Sequence, residues 1–166
     1  MTIRQAQIKD ADGIAKVHVD VWRSAYSGII PKDFLDALSY EKRANERKLF
    51  SEKANPDYCT FVFTNNEDEV IGFSMGGPKR IGSEEYDGEL YAIYLYDEFH
   101  GKGIGKSLFL AVKTWLKEKD HKKMMLWVLK DNPTRSFYEK MGGLHLGETT
   151  IEIGVPLQEV SYGWEL

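Results

Sequence analysis

One stretch confines the fold more than any other: residues 89–129, "ELYAIYLYDEFHGKGIGKSLFLAVKTWLKEKDHKKMMLWVL". "ELYAIYL" (89–95) is rich in aromatic and aliphatic residues and reads as a strand. Glycines follow on alternate positions at 101, 103 and 105. "IGKSLFLAVKTWLKEK" then places Leu108, Val112, Trp115 and Leu116 on one face at helical spacing. "KMMLWVL" (123–129) is a continuous apolar run of the kind found in the interior of a sheet. Strand, glycine loop, helix and strand make a β-α-β crossover, which is right-handed and sets two strands parallel.

The loop "FHGKGIGKSLF" (99–109) has the vocabulary of a phosphate cradle, and spacing decides which kind. A Walker A loop requires four residues between its first glycine and Gly-Lys-Ser/Thr; here position 100, where that glycine belongs, is His. A dinucleotide fingerprint requires a third glycine at Lys106 or Leu108, and neither is one. What remains is G-x-G-x-G running straight into a helix. Its backbone N–H groups face one way at the positive end of the helix, which suits a pyrophosphate neutralised by amides. The plainer reading is a flexible turn that opens a helix.

The rest of the chain supplies hairpins and flanking helices. "IKDADGIAKVHVDVWRSAYSG" reads as a helix capped by Asp10 or Asp12, with Ile14, Val17, Val21 and Ala25 on its apolar face and Gly28 at its stop. Pro31 opens "PKDFLDALSYEKRANERKLFSEK", two helical pieces parted near Ser39. "YCTFVFT" and "EVIGFSMGG" form a hairpin across "NNED", and "PKRIGSEEYDG" is loop. "DNPTRSFYEKMGG" is a short helix with Asn132 as N-cap and Gly142 past its end. "LGETTIEIG" and "LQEVSYGWEL" close as antiparallel strands. The expected architecture is α/β (α+β): one domain over residues 1–166, with a mixed, mostly antiparallel twisted sheet, helices on both faces and the β-α-β unit at its centre.

A length of 166 residues suits a single core, and a net charge of −4 argues against non-specific nucleic-acid binding. "MTIRQAQIKD" lacks the apolar stretch of a secretory leader, and the longest apolar run, "MMLWVL", is too short to span a bilayer. Lone Cys59 permits no internal disulfide, fits a reducing cytoplasm, and is expected to be a buried structural thiol. His18, His100, His121 and His145 show no metal-ligand spacing, so no metal is expected.

On these motifs the chain resembles the GNAT superfamily of acetyl-coenzyme A-dependent N-acyltransferases. "HGKGIG" (100–105) fits that family's Arg/Gln-x-x-Gly-x-Gly/Ala signature, with His100 at the Arg/Gln position and Lys102 and Lys106 as the nearby cations. "LWVLKDNPTRSFYEKMGG" resembles the family's next strand and helix. "DVWRSAYSGIIP" and "EVSYGWEL" resemble an N-terminal helix region and a closing strand, so the likeness covers essentially the whole chain. The resemblance implies acetyl-CoA as cofactor, bound along His100, Gly101, Lys102, Gly103, Ile104, Gly105, Lys106 and Ser107, with contributions from Asn132, Arg135 and Tyr138. It implies that the backbone of Ile93, Tyr94 and Leu95 lies beside the acetyl and pantetheine arm, where strands 89–95 and 123–129 splay into a slot. An N–H near Leu95 would then stabilise the oxyanion.

The same resemblance places the Tyr138 phenol as general acid for the departing thiolate. Glu89 is the candidate base, acting through water; the alternative is an exposed carboxylate at a strand end. Trp22 and Tyr26, one helical turn apart, either cage a cationic acceptor or extend the core stripe. Tyr91 is a further acceptor-side candidate, alternating faces with Tyr94. The activity so implied is acetyl transfer to a primary amine of a small molecule or peptide by direct attack. A GNAT-fold module that binds acyl-CoA without efficient catalysis is the first rival, and a nucleotide-dependent kinase, built on Gly-Lys-Ser, is the second. No nucleic-acid or membrane partner is implied, and a homodimer is left open.

Overall fold

A computed structural model describes residues 1–52 and 55–166. Seven strands form one sheet in the order β1-β2-β3-β4-β5-β7-β6: β1 (Thr2–Gln5), β2 (Cys59–Thr64), β3 (Val70–Pro78), β4 (Gly88–Leu95), β5 (Lys123–Leu129), β6 (Leu144–Glu152) and β7 (Pro156–Glu165). Only β4 and β5 run parallel; every other neighbouring pair is antiparallel. The crossover between them is α4 (Ile104–Glu118), as the spacing of its apolar residues predicts. The expected mixed, mostly antiparallel sheet with a central β-α-β unit is therefore the fold.

Helices cover both faces. On one side α4 and α5 (Arg135–Lys140) press onto the sheet. Leu108, Val112 and Leu116 of α4 are fully buried, packed with Cys59, Leu90, Met124, Leu126, Val160 and Trp164 or with Ile71 and Leu95. Each such buried side chain contributes about 1.5–3 kcal/mol relative to exposure. On the other side lie α1 (Ala11–Ala25), α2 (Lys32–Asp36) and α3 (Tyr40–Glu52). Ile14, Val17 and Val21 of α1 pack against Val62, Phe73 and Met75. The break between α2 and α3 falls around Ser39, as expected, and the anticipated end of that piece at Lys53 lies outside the described residues. Among the described residues no helix is long and apolar enough to cross a membrane.

Two local expectations, at Asp10 and Asn132, are corrected, and one strand is found that the sequence did not lead us to expect. Thr2–Gln5 is a strand, too short to show alternation above its polar surroundings. Asp10 precedes α1 but does not cap it with its side chain. Its carboxylate takes two hydrogen bonds from Arg4, at 2.6 and 2.9 Å, and the Gln7 N–H at 2.7 Å, and these hold it below the usual carboxylate range. Asn132 stands two residues before the N-cap of α5, Thr134, and its Oδ1 accepts the Thr134 N–H at 2.9 Å, so it shapes the turn that leads into the helix. Cys59 is buried and free as expected, and burial pushes its thiol up to about 12.

The sheet and α4 touch most closely at Gly76. A Cβ there would lie 2.4 Å from Val112 Cγ1 and 3.0 Å from the Glu89 carbonyl oxygen. Gly76→Ala is expected to destabilise the fold by about 1–3 kcal/mol through overpacking. A lowered urea midpoint with unchanged slope would show it.

Candidate active site

The parallel pair β4 and β5 meets over two residues only, Gly88↔Met124 and Glu89↔Met125. Beyond Glu89 the ladder stops, although β4 continues to Leu95 and β5 to Leu129. A bulge at Tyr91 accompanies the parting: Met75 of β3 faces Ala92 and Gly76 faces Leu90, so Tyr91 is the extra residue that bends β4. The edge of β4 along Ile93, Tyr94 and Leu95 thus faces a gap rather than a strand. This is the slot that the sequence resemblance implied.

The glycine loop lies where β4 ends. Gly101 and Gly103 hold φ of 74° and 79°, which side chains rarely adopt, and a Cβ on either would meet nothing within 4 Å. The loop is therefore open outward. The Ser107 amide is the first of α4 with a backbone acceptor, Gly103 O at 3.0 Å, and the Ser107 hydroxyl bonds the same oxygen. The N–H groups of Ile104, Gly105 and Lys106 take no backbone acceptor among the described residues, as at any helix start. Lys106 and Lys102 are exposed beside them, Lys102 with its ammonium over the Phe99 ring at 5.1 Å. The His100 side chain is half exposed, and its Nε2 donates to the Leu95 carbonyl at 3.1 Å. That bond fastens the loop to the end of β4.

Tyr138 rises from α5 into the same gap. It is 8% exposed, and its phenol is pushed above its ordinary pKa by burial and, secondarily, by Tyr94. Tyr26, at the end of α1, is likewise pushed up by burial, with Tyr94, Tyr138 and Asn132 as its polar neighbours. Three phenols from opposite faces of the sheet thus converge, which a continuous ladder would prevent. Trp22 and Tyr26 pack edge to face at 5.1 Å, and both join the core around Val19, Leu35 and Leu129. Asn132 is buried beside Tyr26. Arg135 turns away from the loop: Nη1 donates to the Lys130 carbonyl at 2.7 Å, and Glu139 lies 3.7 Å from Nη2.

Glu89 is no exposed strand-end carboxylate; it is fully buried. Its Oε2 accepts the Arg80 N–H at 2.8 Å and its Oε1 accepts Arg80 Nε at 3.2 Å and Nη2 at 2.5 Å. Arg80 thus takes three of the carboxylate's roughly four lone-pair sites, one of the two on Oε2 staying open. The same guanidinium covers the Tyr91 ring at 4.3 Å, and the Tyr91 hydroxyl donates to the Pro78 carbonyl. Tyr91 is therefore held through both its ring face and its hydroxyl, and it is partly exposed.

Several residues near the gap carried no signal in the sequence. Glu159 of β7 is half-buried, and its side chain makes no hydrogen bond or ion pair among the described residues. Burial pushes its carboxyl up, Arg80 opposes, and Glu89 reinforces. His18 of α1 is 7% exposed, stacked on Tyr94 at 5.3 Å, and both its ring nitrogens lack partners. Arg47 of α3 is held close by, against Met75. Among the described residues no group of three or more His, Cys, Asp and Glu is placed to hold a metal ion.

Residues 20–143 match the model of the acetyltransferase (GNAT) family. The chain belongs to that family and is an N-acetyltransferase by class. It is 39% identical over 165 residues to the uncharacterised N-acetyltransferase YuaI of Bacillus subtilis (strain 168), covering 99% of this chain and 92% of that one. It is 28% identical to a spermidine N(1)-acetyltransferase of Thermoplasma acidophilum, covering 84% and 86%. Among solved structures it superposes on the PaiA N-acetyltransferase of Thermoplasma acidophilum, crystallised with coenzyme A, at a TM-score of 0.73 and 25% identity over 99% of this chain and 98% of that one.

Burial and the charges of Arg43 and Arg47 hold His18 down at about 3. The unfolded chain takes up this proton near the ordinary value of 6.5 and the folded chain does not, so stability is lost as pH falls from about 6.5 toward 3. The loss is up to about 1.4 kcal/mol per pH unit. His18→Gln should therefore show a flatter fall in urea stability between about pH 7 and about pH 5 than the unaltered protein.

Proposed function

We propose that this protein transfers the acetyl group of acetyl-CoA to a primary amine of a small molecule or peptide, as a single cytoplasmic domain over residues 1–166. The observation that carries the reading is the end of the β4–β5 ladder at Glu89, directly before an open glycine loop. Acetyl-CoA is the second substrate, supplying a thioester whose acetyl carbon leaves sulfur for the amine nitrogen. The loop fits its pyrophosphate: the free N–H groups of Ile104, Gly105 and Lys106 face the open side, and Lys102 and Lys106 add charge. The unpaired edge of Ile93, Tyr94 and Leu95 fits its amide-bearing arm, which adds to a strand edge by main-chain hydrogen bonds.

Proton traffic is divided between two groups. Tyr138 Oη, kept protonated by burial, holds the proton that the departing sulfur takes. The amine gives its proton to the acidic side of the gap. There Glu89 holds Arg80, and Glu159, with its oxygens unpartnered and its carboxyl raised, is the base with free lone pairs. A module that binds acyl-CoA without turning it over is the competing reading, and the buried Tyr138 phenol in the gap speaks against it. The negative net charge and the lone buried cysteine agree with a small acceptor in a reducing compartment.

Tyr138→Phe should lower kcat by about 10²–10⁴-fold while coenzyme A binding, read by calorimetry, stays within about threefold. Unchanged turnover would remove Tyr138 from the acid role. Glu159→Gln should lower kcat/KM by at least about tenfold and abolish the acidic limb of its pH profile, whereas loss of that limb in Glu89→Gln alone would return the base role to Glu89.

A further inference from the structure

The face of β4 away from α4 carries an unbalanced cation. Arg47 is packed between α3 and the sheet, and its only hydrogen bond among the described residues is to a weak acceptor, Met75 Sδ, 2.9 Å from Nη1. Its Nε is buried and without a partner. The charged and polar groups that face it are Arg43, Glu46 and Tyr94, together with His18 of α1. Glu46 is already taken by Arg43 at 3.0 Å. Next to Arg47, the buried His18 ring offers two more unpartnered nitrogens and stacks on Tyr94. Buried guanidinium N–H groups left without an acceptor are costly, and such a site is stabilised by any anion that reaches it.

From this we infer that the amine acceptor carries a carboxylate, which Arg47 binds with His18 beside it. The inference deepens the N-acetyltransferase reading and rests on it. The site is not a second seat for the pyrophosphate, because α4 and its glycine loop lie on the opposite face of the sheet. It borders the reaction centre, since Tyr94 carries His18 on its ring while its backbone edges the gap. One unpaired guanidinium matches one negative charge; a phosphate monoester, carrying about −1.5 to −2 at neutral pH, would leave the excess unpaired. His18, neutral in the fold, adds an N–H without adding charge. The acceptor class is therefore an amino acid or a short peptide with its carboxylate a few bonds from the reacting amine, rather than a polyamine.

The test uses matched pairs with the whole protein: L-methionine, L-lysine and L-phenylalanine, each against its carboxamide, with spermidine as the polyamine. Thiol release from acetyl-CoA is compared at equal concentrations of free amine. The carboxylate member should be favoured in kcat/KM by at least about tenfold in one or more pairs, and in Arg47→Gln that ratio should fall to within about threefold, with Arg47→Lys retaining part of it. Equal use of both members, a preference for the carboxamide or spermidine, or an unchanged ratio in Arg47→Gln overturns the inference. Thiol release with any of these amines keeps the acetyltransferase reading whatever the ratio. A separate calorimetric titration of N-acetyl-L-methionine and its amide into the coenzyme A-loaded protein reads the anion site without turnover. Tighter binding of the acid, lost in Arg47→Gln, supports the inference, and equal binding of the two overturns it.

Discussion

The organisation of this protein depends on a ladder that is allowed to fail. β4 and β5 pair at Gly88 and Glu89 and then part, while every antiparallel neighbour in the sheet remains paired over four residues or more. A complete sheet would wall α1 off from α5. The parting lets the Tyr138 phenol, borne by a helix on one face, reach Tyr26 and Tyr94 on the other. Along residues 93–95 the main-chain groups that do not face β3 have no strand to bond, and the Leu95 carbonyl takes the His100 ring N–H. The bulge at Tyr91 and the fixed hand of the crossover through α4 make this gap a consequence of the architecture, not of loop flexibility.

Buried charge is then distributed about the gap in two different ways. On the side of β7, Glu89 and Arg80 satisfy one another almost completely. Breaking such a buried pair by removing one partner is costly, because the survivor is left without compensation. On the side of α3, Arg47 has no such partner among the described residues. A fully satisfied pair serves as scaffold, and an unsatisfied donor is an invitation to a ligand; the two stand on either side of the same strand.

Much of this was legible in the residues. The bounds of β5 and the start of α4 followed from apolar runs and glycine spacing, because these elements are buried on faces that the pattern records. The parting of β4 from β5 followed from the resemblance of the glycine loop and its flanking strands. The misses share a cause. β1 has four residues, too few for a period. Whether Glu89 is a free base or half of an ion pair depends on Arg80, nine positions earlier and across a loop. His18, Arg47 and Glu159 sit on three elements far apart in the chain, and the sheet order sets what each one meets: His18 and Arg47 come together beside Tyr94, and Glu159 lies toward Arg80 and Glu89.

That order has a consequence for how the chain is made. β7 is the last strand in sequence, yet it lies inside the sheet, between β5 and β6. As a ribosome delivers the chain, β5 emerges with its gap on one side and an unfilled edge on the other. β6 has no partner at all until β7 arrives to join both. Through that interval the apolar run 124–129 is exposed along its backbone, a template for pairing with another nascent chain. The protein therefore has a period of vulnerability to misassembly that ends only when its final strand is threaded into place.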